Sequence, residues 1–188
     1  MTGRSPRFRR RRRGRAPIRI LVSACLLGER VRYDGGHKRN AFLTETVGRL
    51  VEWVPVCPEA ECGLGVPREA MRLEGDPRCP RLVTVRSRMD RTEKLERWAW
   101  RKVCSLATED FSGYVCKKNS PSCSMERVPV FDSTGGQMGE GAGIFTRIFM
   151  ERFPRIPVEE EGRLADRELQ TAFFERLFMT RRLRAPAA

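Results

Sequence analysis

Ile18-Arg19-Ile20-Leu21-Val22-Ser23-Ala24-Cys25-Leu26-Leu27-Gly28 decides the fold. A short apolar, β-branched run, Ile18 to Val22, leads directly into a cysteine and a turn glycine. Two later stretches share this form. Val51 to Val56 leads into Cys57-Pro58-Glu59, and Gly113 to Cys116 leads into Ser120-Pro121-Ser122-Cys123. Short apolar runs bounded by turn residues read as buried parallel strands. In an open parallel sheet, ligands sit in the crevice outside the carboxyl ends of the strands. The expected architecture is therefore α/β: a single domain over residues 18–188, with a mainly parallel sheet flanked by helices. Its cysteines stand at strand C-terminal ends, so Cys25, Cys57 and Cys123 can converge although they are far apart in sequence.

The rest of the chain fits around those strands. Leu82 to Val85 reads as a hairpin or edge strand, and Val128 to Phe131 as another strand. Ala41 to Leu50 looks helical. Thr92 to Thr108 reads as an amphipathic helix capped by Asp90 or Thr92, with Leu95, Trp98, Val103 and Leu106 inward. A helix is expected from Ile144 to Phe153, after the glycine-rich turn Gly139 to Gly143. Such a turn can bind phosphate, but a simple tight turn is the better reading. Glu159 to Gly162 reads as an acidic loop. Asp166 caps a last helix to about Leu183, with Leu169, Phe173, Phe174, Leu177 and Phe178 as its apolar stripe. Asp34, in Asp34-Gly35-Gly36, reads from spacing alone as a turn residue.

Composition bounds the function. The 188 residues, 40% hydrophobic, suffice for one stable core. The longest apolar runs are too short for a bilayer, and no apolar signal core follows the basic N-terminus, so a cytoplasmic protein is expected. A single histidine, His37, nearly excludes multi-His metal sites. The net charge of +13 is uneven: nine arginines and no acid lie in residues 1–19, leaving 28 basic against 24 acidic residues elsewhere. Residues 1–17 read as a disordered basic arm. Within it, Arg9, Arg10, Arg11, Arg12 and Arg13 would tether phosphate backbones, or form a solvated tail.

Seven cysteines in a reducing compartment suggest metal ligands, catalytic groups or core residues rather than disulfides. Cys104, within a helix, and Cys116, within a strand, read as core. Three thiolates suit a soft metal: zinc with a fourth ligand such as Cys62, or an iron–sulfur cluster. If only three cysteines bind a cubic cluster, one iron lacks a protein thiolate and can act as a Lewis acid. Glu59, Asp34 and Ser120 lie beside the cysteines and could activate water or orient a substrate.

These residues carry a resemblance. Leu21 to Gly28, Val31-Arg32-Tyr33-Asp34-Gly35-Gly36, Val54 to Glu59 and Ser120 to Cys123 occur in the order and spacing of the thiouracil desulfidase (TudS) family, over roughly residues 18–160. Met89 to Glu93, Ser124 to Val128, Pro157 to Leu164 and the helix containing Phe173 to Phe178 resemble the branch that includes the tRNA 4-thiouridine desulfidases (RudS). In that branch the domain is usually joined to a second domain, whose electrostatic role the arginine arm could take here.

The resemblance implies a [4Fe–4S] cluster held by Cys25, Cys57 and Cys123. A thiolated uridine nucleotide or tRNA would bind its sulfur to the fourth iron. Water would replace sulfur on the ring, with sulfide leaving and no net redox change. It implies Asp34 and Glu59 as acid/base groups and Ser120 as a substrate-positioning group. The family usually has glycine after the third cysteine, where this chain has Ser124; a positive φ there would tighten the loop. The competing reading is a non-catalytic RNA-binding protein with a structural metal at Cys57 and Cys62. A third is a redox sensor using an exposed cysteine such as Cys79.

Overall fold

A computed structural model describes residues 17–184, so the Arg9 to Arg13 run lies outside the described residues. The strands are β1 (Ile18–Ser23), β2 (Val51–Val56), β3 (Met71–Glu74), β4 (Arg81–Thr84), β5 (Gly113–Cys116), β6 (Val128–Phe131), β7 (Gln137–Gly141) and β8 (Val158–Glu160). The helices are a single turn α1 (Pro58–Glu61), then α2 (Thr92–Leu106), α3 (Ile144–Arg152) and α4 (Arg167–Arg184).

β1, β2, β5 and β8 form an all-parallel sheet in the order β2-β1-β5-β8. Both faces of β1 are buried, which is why its sequence is continuously apolar rather than alternating. Ile20 and Val22 enter a cluster with Leu43, Phe173 and Leu177. Leu21 enters the opposite cluster with Val103, Phe145 and Phe149. Tyr114 and Phe111 join an aromatic chain through Phe145, Phe149 and Phe153, with centroid separations of 5.1–6.1 Å. Each such ring taken fully from water contributes roughly 1.5–3 kcal/mol.

The order β2-β1-β5 makes β1 a switch point. The chain leaves it on one side to reach β2 and later returns on the other side as β5. Register pairs Ser23 with Val56, so β1 and β2 end level with one another. The crevice at their carboxyl ends is where a doubly wound sheet binds ligands.

A second sheet, β4-β3-β6-β7, packs Leu73, Leu82, Val128 and Val130 into the same core as α2 and α3. It pairs β3 antiparallel with β4 and parallel with β6, with β7 antiparallel at the far edge. The strand near Leu82 is thus the edge of a hairpin, as expected. Asp90 Oδ1 accepts the Thr92 N–H at 2.8 Å at the start of α2. Asp166 Oδ1 accepts the Glu168 and Leu169 N–H groups at 2.8 and 3.1 Å at the start of α4.

Four readings are corrected. The first half of the expected acidic loop belongs to strand β8, with Glu159 and Glu160 buried. Arg163 Nε lies 2.8 Å from Glu159 Oε1, and the Met125 N–H donates to Glu160 Oε1 at 3.1 Å, so burial is compensated. Cys104 is exposed, because it lies one residue, about 100° of helix, beyond buried Val103. Phe178 is 54% exposed rather than part of the core. The helix expected at 41–50 is a π-helical turn, Phe42–Thr46, running into a 3-10 turn, Val47–Arg49. No helix among the described residues is long and apolar enough to cross a membrane.

Candidate active site

Each of the three cysteines follows a strand of the parallel sheet, and each is placed by a different device. Cys25 lies in the 3-10 turn Ala24–Leu27, which closes on Gly28 at φ +102°, a left-handed conformation that favours glycine. Its carbonyl accepts the Lys38 N–H at 2.9 Å, which folds the next loop back over the strand ends. Cys57 directly precedes α1, with Pro58 at the first helical position. Cys123 sits in the turn after β5. That turn is held by the N-terminus of α3: the Ile144 N–H donates to Pro121 O and the Phe145 N–H to Ser122 O, at 3.1 and 3.0 Å. Thr146 Oγ1 donates to Cys123 O. The N–H groups after the glycine-rich turn are therefore spent on the cysteine loop rather than left open for phosphate.

Cys25, Cys57 and Cys123 open into one pocket of about 320 Å³, which Glu59 and Ser120 also line. Arg32, Lys38, Arg68, Lys117 and Lys118 surround them. Burial and the neighbouring Cys57 push the Cys25 thiol up to about 11. Burial, then the charges of Glu59, Cys57 and Cys25, push Cys123 up as well. Burial also raises Cys57, against opposing backbone hydrogen bonding. Three crowded thiols, two buried and one half-buried, disfavour losing protons by themselves. A cationic centre among them reverses that preference, because metal coordination deprotonates thiols.

Ser120 Oγ accepts the Cys123 and Ser122 N–H groups at 3.1 and 3.3 Å. Its own hydroxyl hydrogen has no acceptor within the turn. Asp34 behaves differently from the other sequence candidates. It is exposed and does not line the pocket. Its Oδ1 accepts the Gly36 N–H at 3.0 Å, and this bond with neighbouring Arg32 holds its carboxyl below the usual carboxylate range. Asp34 thus sits at the rim, beside Arg32, as the anchor of its turn. Arg32 Nε is buried without a hydrogen-bond partner; Asp34 Oδ1, at 3.4 Å, is not aligned with it. His37 lies outside the pocket lining, and its Nδ1 accepts the Arg39 N–H at 3.2 Å.

Cys62 does not join the three pocket cysteines. Its thiol donates to Glu59 O at 3.4 Å, and it faces Lys94 and Arg97 in a separate depression. Among the described residues, no three His, Cys, Asp or Glu side chains converge closely enough for a single metal ion. A cubane differs, since each thiolate binds its own iron. Ser124 is not among the residues with positive φ, so the expected loop strain does not arise. Instead its buried hydroxyl donates to Glu160 and accepts the Asn119 N–H at 3.1 Å, joining the loop to β8.

Sequence reasoning missed two residues here. Arg68 Nε donates to Glu59 Oε2 at 2.8 Å, and Ser122 Oγ donates to Glu59 Oε1 at 2.8 Å. Ser122 stood inside the quoted Ser-Pro-Ser-Cys stretch. Arg68 had no such signal, because its side-chain partner Glu59 and the Val31 carbonyl lie 9 and 37 residues away.

Residues 20–161 match the family described as 2-thiouracil desulfurase. The chain is 29% identical over 152 residues to the uncharacterized protein YbbK of Bacillus subtilis (strain 168), covering 76% of this chain and 96% of that protein. Among solved structures it is similar to the [4Fe–4S]-dependent thiouracil desulfidase TudS. That match has 30% identity and a TM-score of 0.63, and covers 82% of this chain and 98% of that one.

Proposed function

The chain belongs to the 2-thiouracil desulfurase family, and from that premise we propose that it is a [4Fe–4S]-dependent desulfidase acting in the cytoplasm on 4-thiouridine, in tRNA or as 4-thio-UMP. The observation that carries this reading is the meeting of Cys25, Cys57 and Cys123 with Glu59 and Ser120 in one pocket. The reaction is a net hydrolysis: thiocarbonyl and water give carbonyl and hydrogen sulfide, with no electron gained or lost.

The donor set fits the cofactor. Three thiols beyond three adjacent strands, two of them buried, can supply three thiolates, and neighbouring Lys117 and Arg32 already act to lower the Cys25 pKa. The bound cluster would supply an iron without a protein thiolate, a Lewis acid for the thiocarbonyl sulfur. The chain's own residues do the rest. Glu59 receives the proton of the attacking water. Ser120 offers its free hydroxyl hydrogen to a polar group of the pyrimidine, while its oxygen holds the turn of Cys123.

The pocket rim suits an anionic substrate. Lys38 and Lys118 line it, and the buried Nε of Arg32 has no hydrogen-bond partner among the described residues. A phosphate would satisfy such donors through charge-assisted hydrogen bonds. Asp34 is the counter-charge that fixes the Arg32 turn. Sulfide release from 4-thiouridine, 4-thio-UMP and 4-thiouridine-containing tRNA, measured side by side on cluster-loaded protein, tests the proposal. Faster release from the phosphorylated substrates supports it. A protein that holds the cluster and is inert toward all three contradicts it.

A further inference from the structure

Glu59 is held by two residues that have no part in binding a cluster. Arg68 Nε donates to Oε2 at 2.8 Å, with Nη2 2.5 Å from the same oxygen. Ser122 Oγ donates to Oε1 at 2.8 Å. Ser122 is fully buried, and the Arg68 side chain is 7% exposed. The guanidinium is itself fixed: Nη1 and Nη2 each donate to Val31 O at 3.0 Å, and Nη1 to Gly65 O at 2.8 Å. The Arg68 N–H donates to Tyr33 O at 2.8 Å. One side chain therefore joins the loop after β1 to the turn after β2, and Ser122 joins that turn to the loop after β5.

A carboxylate oxygen offers two lone pairs. Oε2 is enclosed by the guanidinium. Oε1 has accepted one hydrogen bond and keeps one acceptor position. We propose that Arg68 and Ser122 are positioning residues that turn Glu59 so that Oε1, and not Oε2, holds the attacking water. The inference rests on the desulfidase reading and names the atom through which Glu59 would act. The rigid guanidinium holds one carboxylate oxygen and Ser122 holds the other, so the two together fix the carboxylate plane as well as its place.

The test is a pair of double-mutant cycles on cluster-loaded protein matched for iron content. Ser122→Ala and Arg68→Lys are each made alone and in a Glu59→Gln background. A misplaced reacting group costs up to roughly 100-fold, so each single change should lower kcat about 10- to 100-fold with little change in KM. In the Glu59→Gln background each should add almost nothing, because both act through Glu59. Full additivity, or an unchanged kcat in Ser122→Ala, overturns the proposal. If Arg68→Lys fails to fold or to take up iron, the Ser122 cycle decides alone. A crystal structure of the cluster-loaded protein gives a readout independent of activity. An ordered water on Oε1 is expected, and a water on Oε2 with the guanidinium turned away overturns the proposal. Wild-type protein inert toward every thiolated uracil would sink the desulfidase reading instead, leaving the crystallographic result to judge the geometry.

Discussion

A Cβ on Gly143 would stand 2.6 Å from the backbone nitrogen of Cys123. The same atom would meet Ser122 C at 2.6 Å and Ser120 O at 2.9 Å, so the whole cysteine turn rests on a glycine with no spare room. This close packing explains why the turn before α3 ends in glycine: close backbone approach, rather than phosphate binding. Gly143→Ala should cost about 1–3 kcal/mol through overpacking and should lower iron uptake by displacing Cys123. Thermal melts of metal-free protein, read beside iron content after reconstitution, check both effects. A variant with unchanged melting and loading would show that the turn does not depend on this glycine.

Three strands of the parallel sheet were legible, because β1 and β5 are buried on both faces and β2 is a short apolar run at the edge. Ile18 to Val22, Val51 to Val56 and Gly113 to Cys116 match β1, β2 and β5 to within a residue. Strands β3, β7 and β8 were not legible, because their residues are charged or glycine-rich. Glu74, Glu159 and Glu160 are buried acids, each with a partner outside its own strand. The meeting of three cysteines in one pocket was expected from their places after parallel strands. The clamp on Glu59 did not, because Ser122 reaches it across 63 residues of chain. No periodicity carries that information.

Exposure divides the seven cysteines by reactivity. Cys79 and Cys104 are exposed, whereas Cys25, Cys116 and Cys123 are buried. In metal-free protein at neutral pH, mass spectrometry after brief alkylation should find Cys79 and Cys104 modified first. Cys25, pushed up to about 11 by burial and by Cys57, should stay protonated and react slowly. Fast modification of Cys25 would contradict the described burial. Cluster loading consumes thiolates and releases protons, so uptake should improve from mildly acidic to mildly alkaline pH.

Cys62→Ser separates the metal readings. Cys62 lies outside the cysteine pocket, so iron content and sulfide release should remain within about twofold of wild type. Serine at Cys25, Cys57 or Cys123 should abolish or severely reduce iron retention, because each removes one of only three thiolates. Iron retained by the Cys123→Ser protein would refute the ligand assignment.

Acid should destabilise the fold through its paired carboxylates. Burial works against the charge of Glu74, but hydrogen bonds from Arg88 and Arg72 prevail, and its carboxyl lies below its ordinary 4.5. The Gly36 N–H and then Arg32 lower Asp34 from 3.8, and Thr134 with the Gly136 N–H lowers Asp132 from 3.8. A lowered folded pKa contributes stability above the unfolded value and loses it as pH falls through the folded one. Melting temperature should therefore be flat near neutrality and decline below about 4.5, the unfolded value that matters here. Glu74→Gln should cost about 1–3 kcal/mol near neutral pH, where it leaves two arginines without their carboxylate. Its stability should also fall less than wild type on acidification. An identical acid profile in the two proteins would remove Glu74 from this account.

The arginine run Arg9 to Arg13 should matter for tRNA and not for chemistry. Deleting residues 2–16 should leave desulfuration of 4-thio-UMP unchanged, while weakening tRNA binding and flattening its salt dependence. Each phosphate that the arm no longer neutralises reduces the slope of log affinity against log salt by roughly 0.7–0.9. Filter binding across a salt series measures it. An unchanged affinity and slope would leave the arm without a part in tRNA recognition.

The most direct test purifies the protein anaerobically, measures iron, acid-labile sulfide and the visible spectrum, and then adds 4-thiouridine or 4-thio-UMP to the same cuvette. Iron and sulfide in cluster stoichiometry, broad visible absorbance, loss of the thiouridine band and release of sulfide are expected, all absent in the Cys25→Ser protein. A colourless protein containing zinc, inert toward thiouridine after reconstitution with iron and sulfide, would contradict the desulfidase reading.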